Sequence, residues 1–247
     1  PLPVREVAGL IWVTLDPGSG VDIDDFLSGY GEMLGHLRFE DTYLGGRQDL
    51  RGPNWKVAYD GYRDFYHVPI LHQNTLGTDV SHQPDYYAWG PHVRVTAPKG
   101  LEIYSNKDEK DITNDEMVPG VWTIFPNVSI AGSPETGSYM FSQMFPGETV
   151  FESSTIQNFL YFGDPEEKDE QALAEYMGFM HEVVQNEDYS TGFNVQRALA
   201  TGAKEFSYFG RNEGGGQLFH KWVDALIECD DQNLTELLRN GPGLQSG

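Results

Sequence analysis

Between residues 86 and 162 the chain breaks into short runs rich in aromatic and β-branched residues, at 86–89, 92–97, 101–105, 121–124, 139–145 and 155–162, with turn residues between them. Such runs suit a pleated, half-buried surface and predict an antiparallel sheet. The flanks read differently. Residues 7–15, with Leu10, Ile11, Trp12 and Val13, read as a buried strand closed by Asp16-Pro17-Gly18. Residues 22–36 read as a helix with aspartates at its start and Ile23, Phe26, Leu27, Tyr30 and Leu34 on one stripe. A strand at 42–52 and a helix at 54–66 follow, the helix stopped or kinked by Pro69.

Downstream of the sheet, Asp164 suits an N-cap, Pro165 the first helical position and Glu167 the third, a capping-box pattern. Leu173, Tyr176, Met177, Met180, Val183 and Val184 then recur at helical spacing. Further helices are expected at 189–201 (closed by Gly202), 217–228 and 233–239. Helices, then strands, then helices predict an α+β fold, an antiparallel β-sheet covered by helices on one face. No repeat or linker divides the chain, so one domain is expected.

The 247 residues are 39% hydrophobic and 13% aromatic, which allows one sizeable core and excludes disorder. A net charge of −22, from 38 acids against 16 bases, repels phosphates and anionic headgroups, so neither nucleic acid nor membrane is expected as a partner. This acidity reads as a solvated surface, with docking of a basic electron carrier as the alternative. One cysteine, Cys229, excludes disulfides, thiolate zinc sites and cysteine-ligated clusters within this chain, and its amphipathic setting suggests burial. No apolar run approaches the ~20 residues that span a bilayer, and a cytoplasmic location is expected. The start at Pro1 reads as an internal point of a longer polypeptide.

Chemistry concentrates in Asn54-Trp-Lys-Val-Ala-Tyr-Asp60-Gly-Tyr-Arg-Asp64-Phe-Tyr-His67-Val-Pro-Ile-Leu-His72. Asp60, Asp64 and His67 stand at i, i+4 and i+7, which a helix would align on one face. Polar groups in so apolar a stretch need partners or a metal when buried. His72 is five residues beyond His67, about 140° round an ideal helix. The two imidazoles can share an ion if the helix distorts or ends between them, and Pro69 gives it a reason to do so. Two histidines from one segment and a distant carboxylate form the facial triad of non-haem ferrous sites. Among distant acids, Met180, Val184 and Asp188 fall at steps of four and Glu187 lies seven from Met180, so periodicity does not choose between Glu187 and Asp188.

Asn54-Trp-Lys followed by Asp64-x-x-His67-x4-His72 resembles the iron-binding signature of Rieske non-haem iron aromatic-ring-hydroxylating oxygenases. The similarity continues in Gly9-Leu-Ile-Trp-Val13, which looks like the family's strand leaving the Rieske domain, in Ile124-Phe-Pro-Asn127 and Phe145-Pro146, and in Glu213-Gly-Gly with the helix at 219–222. The resemblance implies a helix-grip, START-like catalytic domain over 19–247, with 1–18 the segment leaving a Rieske domain that this chain lacks. It implies Fe(II) held by His67, His72 and Asp188, the last chosen because it lies eight residues before Gln196. Asp64 is implied to bridge His67 to a cluster-ligating histidine of a neighbouring subunit. Asp60 departs from the asparagine common at that position, which leaves its role open.

An oxygenase of this kind would hydroxylate an aromatic substrate with dioxygen, drawing electrons from a two-iron Rieske cluster, through a ferredoxin or reductase. A homotrimer is expected, with or without a beta subunit. Val68 and Leu71, beside the ligands, are expected in the pocket wall. Alone, the chain should bind iron and substrate without turning over. Two rival readings remain: a metal-free START-like ligand-binding module, and a zinc-dependent hydrolase on the same triad.

Overall fold

The structure, a computed structural model, describes residues 1–77, 80–100, 107–113 and 116–242. Among these, the centre of the molecule is a seven-stranded antiparallel sheet. Its strands are β3 (Thr42–Gly52), β4 (Asp85–Trp89), β5 (His92–Thr96), β6 (Val121–Ile124), β7 (Val128–Ser133), β8 (Ser138–Pro146) and β9 (Ser153–Phe162), in the order β3-β9-β8-β7-β6-β5-β4. From β4 to β9 each described strand pairs with its sequence neighbour, and β3 closes on β9 through a bulge between Leu44 and Gly46. Strand β7 was not anticipated, because Val128–Ser133 mixes Ser, Ala and Gly with its β-branched residues. The run expected at 101–105 lies outside the described residues.

The sheet is covered on both faces, not one. Alternation along β8 sends Tyr139 and Phe141 to one side and Met140, Ser142 and Met144 to the other. The first side packs on α1 (Ile23–Leu27) and α2 (Tyr30–Gly35), whose Leu27, Tyr30 and Leu34 are buried with Trp122 and Ile130. The helix expected at 22–36 is split into these two at Ser28 and Gly29, both left-handed. The strand expected at 7–15 is instead a hairpin of β1 (Val4–Val7) and β2 (Leu10–Val13), turning at Ala8 and Gly9. It is not buried: Leu10 and Trp12 lean on the core, whereas Ile11 and Val13 face outward.

The second side carries α3 (Trp55–Gly61), α4 (Val68–Leu71), α5 (Glu170–His181) with its continuation Glu182–Tyr189, α6 (Ser190–Ala200) and α7 (Gly214–Glu228). Asp169, not Asp164, caps α5, accepting from the backbone N–H of Gln171 and Ala172; Asp164 caps only a 3-10 turn at Pro165–Glu167. Beyond α5 the backbone widens into a π-helix over Glu182–Tyr189. Helix α8 (Leu234–Asn240) packs against α1. Cys229 ends α7 half-buried rather than sequestered.

Candidate metal centre

Helix α3 begins at Asn54, whose side-chain oxygen accepts from Lys56 N–H at 2.9 Å while its amide donates to Val150 O at 2.7 Å. Gln196 on α6 accepts from the Asn54 backbone N–H at 3.3 Å, tying the two helices together. Gly192 makes that approach possible, since a Cβ there would sit 2.8 Å from Pro53. The helix stops at Gly61, earlier than its apolar pattern suggests, and the chain turns through Arg63 and Asp64. A separate one-turn helix, α4, follows. Pro69 lies in its first turn, so it starts a helix here rather than ending one. His67 and His72 flank α4 as its N-cap and C-cap positions, and their rings lie 5.1 Å apart.

Asp188 reaches both rings from the π-helix. Its Oδ1 lies 3.4 Å from His67 Nε2 and 3.0 Å from His72 Nε2. One donor atom from each of His67, His72 and Asp188 falls within 4.8 Å of the others, which makes a two-imidazole, one-carboxylate donor set at one point. The outer edges of the rings are held as well. Asp64 Oδ2 lies 3.3 Å from His67 Nδ1, and its Oδ1 accepts from Tyr66 N–H at 2.7 Å. Glu187 Oε2 lies 2.6 Å from His72 Nδ1 and accepts from Thr75 Oγ1 at 2.8 Å. With each Nδ1 turned to a carboxylate, each Nε2 is left for a metal.

The electrostatics follow from this arrangement. Burial works against charge on His67, but Asp188 and Asp64 outweigh it and raise its pKa to about 9. His72 is raised against the same burial by Asp188 and Glu187. Burial would raise Asp188, yet the two imidazoles hold it below the usual carboxylate range. Electron-rich groups thus converge on one point that suits a cation, and the donor set fits ferrous iron with open positions.

Asp60 does not join the centre. It pairs with Arg63 and, through Oδ2, with His220 Nε2 at 3.1 Å. Val68 and Leu71 part company: Val68 lines an inner cavity of about 130 Å³ together with His67, His72 and Asp188, whereas Leu71 lines an outer cleft of about 310 Å³ shared with Asp64 and His67. Glu187 and Thr75 are the residues that sequence reasoning left without a role. The acidic pair marked Glu187, but no signal marked Thr75.

The sequence model described as "Ring hydroxylating alpha subunit (catalytic domain)" matches residues 39–229. The chain belongs to this family. Curated relatives include the "Carnitine monooxygenase oxygenase subunit" of Acinetobacter baumannii, 30% identical over 207 residues, and that of Acinetobacter pittii, 29% identical over the same length. Each alignment takes in 81% of this chain and 53% of the relative, so the chain spans about half the length of the curated relatives it matches. Among solved structures, a quaternary ammonium Rieske monooxygenase superposes with a TM-score of 0.70 at 20% identity, over 89% of this chain and 60% of that one. A Pseudomonas putida CBB5 protein, NdmA, solved with caffeine, superposes at 0.57 and 12% identity, over 96% of this chain and 66% of that one. These likenesses support the α+β fold of the ring-hydroxylating catalytic domain. No helix among the described residues is long and apolar enough to cross a membrane.

Proposed function

We propose that this chain is the catalytic part of a Rieske-type monooxygenase that hydroxylates a quaternary ammonium compound at a ferrous ion held by His67, His72 and Asp188. The convergence of those three residues carries the reading. The substrate class comes from the relatives, whose names specify carnitine where an aromatic ring was expected. The net reaction converts C–H to C–OH, with one oxygen atom of dioxygen entering the substrate. The other leaves as water with two electrons and two protons from an external donor.

Ferrous iron, when bound, supplies oxygen-activating chemistry and open coordination positions. The chain supplies the rest. Asp64 and Glu187 orient the imidazoles and keep their Nε2 atoms unprotonated for ligation. Phe65, Val68, Met180 and Val184 give the inner cavity dry walls. Asp64 and His67 both line the outer cleft, the side on which electrons from a Rieske cluster would reach Asp64. A trimer that brings such a cluster to the cleft from a neighbouring subunit fits this placement.

The test is metal analysis joined to product detection. The chain should take up one iron, and with dioxygen and a Rieske-type donor it should release a hydroxylated or N-dealkylated product from a quaternary ammonium compound. Stoichiometric iron in the His67→Ala variant would falsify the ligand assignment. Turnover that is indifferent to dioxygen would instead point to a hydrolase.

A further inference from the structure

The inner cavity beside the metal centre shares Phe65, Val68, Leu76 and Val121 with a larger outer chamber of about 900 Å³. Tyr43, Tyr161, Phe162 and Tyr176 line that chamber, and Asp164, Glu167 and Asp169 line its rim. We propose that this paired cavity selects an organic cation that carries no carboxylate. The proposal rests on the oxygenase reading only in taking the inner cavity as the reacting end.

The aromatic wall is built into the sheet. The rings of Tyr43 and Tyr161 lie 6.1 Å apart. Gly45, at the bulge where β3 slips against β9, has no room for a side chain, because a Cβ there would stand 2.5 Å from Tyr161 Cδ2. The backbone of β3 is therefore shaped around the Tyr161 ring. Aromatic faces attract alkylammonium groups through their quadrupoles, most strongly where water is excluded.

The charges select in the same direction. Lys168 is the one Lys or Arg among the described residues that line either cavity, and its Nζ is 2.6 Å from Glu170 Oε1 at the rim. Residues 78–79, 101–106, 114–115 and 243–247 contain no Lys or Arg in sequence. Arg63 borders the outer cleft, where it already donates to Asp60, Gly215 O and Tyr59 O and is itself buried. A carboxylate entering the chamber would meet Asp164, Glu167 and Asp169 at the rim and no unpaired Lys or Arg among the described residues of its walls, and would lose its hydration there without a cationic partner. A zwitterion gains nothing from the field of a chain of net charge −22, whereas a cation is drawn in.

Titration calorimetry on the iron-loaded chain tests this with choline, its neutral isostere 3,3-dimethylbutan-1-ol, and L-carnitine. Choline should bind about tenfold more tightly than either of the others, and added salt should weaken choline alone. Tyr161→Leu and Tyr176→Leu should each cost choline several-fold in affinity while leaving the neutral isostere unchanged, and Tyr161→Phe, which keeps the ring, should retain choline binding. Equal or tighter binding of L-carnitine, or of the neutral isostere, overturns the proposal. Iron content measured on the same samples separates the two readings: choline selectivity without iron uptake sinks the oxygenase reading alone, and iron uptake with carnitine preferred sinks this one alone.

Discussion

Glu187 Oε2 holds His72 at its Nδ1 edge, 2.6 Å away, while the next residue, Asp188, meets the Nε2 edge at 3.0 Å. Consecutive residues of an α-helix point about 100° apart, so one ring rarely meets both. The π-helical turns of Glu182–Tyr189 change that phase and let an orienting carboxylate and a ligating one come from a single step of chain. Glu187→Ala should lower iron affinity by about 10- to 100-fold with the fold intact, and Glu187→Gln by less. Competition with a chelator of known affinity measures this. Unchanged affinity in the alanine variant would remove Glu187 from the metal centre.

On the proposed reading, Asp64 and His67 separate ligation from electron delivery. His67→Ala should lose iron altogether. Asp64→Asn should keep stoichiometric iron, because the carboxylate touches only the outer Nδ1 of His67 at 3.3 Å, yet it should stop turnover driven by a Rieske donor. Metal analysis alongside single-turnover product yield distinguishes the two. An Asp64→Asn variant that turns over normally would show that electrons do not enter past this residue.

The candidate metal centre was more legible than the frame around it. His67 and His72 stand in a motif short enough to read directly, and the resemblance selected Asp188 where periodicity could not. The structure brings the three together. The break in α3 at Gly61 was hidden because the apolar pattern runs on through Phe65, and that break is what moves Asp60 away from the centre. The π-helix was hidden for a related reason: a 3.6-residue period describes Met180 to Val184 equally well with or without a wider turn after it. The second covered face of the sheet depends on Ser28 and Gly29 folding one expected helix back as two, a left-handed turn that amphipathicity does not reveal.

Arg63 is 2% exposed and stands 3.8 Å over the Phe219 ring and 4.5 Å over that of Tyr59. Its guanidinium donates to Asp60 and to Gly215 O, so it joins the end of α3 to the start of α7. Arg63→Met keeps much of the volume but leaves Asp60 with His220 alone and takes the guanidinium from Gly215 O, which should cost about 3 kcal/mol. Asp60→Asn, with its side chain 31% exposed, should cost less. Urea unfolding of both variants checks the order, and the reverse order would show that packing against Phe219, not the ion pair, dominates at this junction.

His92 links stability to pH. It is fully buried, donates Nε2–H to Phe26 O at 2.8 Å, and accepts from the Phe125 backbone N–H on Nδ1 at 3.1 Å. Its ring is stacked on Tyr30 at 5.2 Å. A proton on Nδ1 would break the second bond in a fully buried site, and burial pushes the pKa from 6.5 down to about 4. The unfolded chain therefore binds a proton between about pH 6.5 and pH 4 that the folded chain refuses, and stability falls as pH drops through that window. The loss attributable to His92 should reach about 3 kcal/mol at the acid end. His92→Gln, which retains one donor and one acceptor, should be less stable than the parent at neutral pH and show a shallower decline between about pH 6.5 and pH 4. Denaturant midpoints taken across that range decide the matter, and parallel profiles for the two proteins would mean that other groups set the acid sensitivity of the fold.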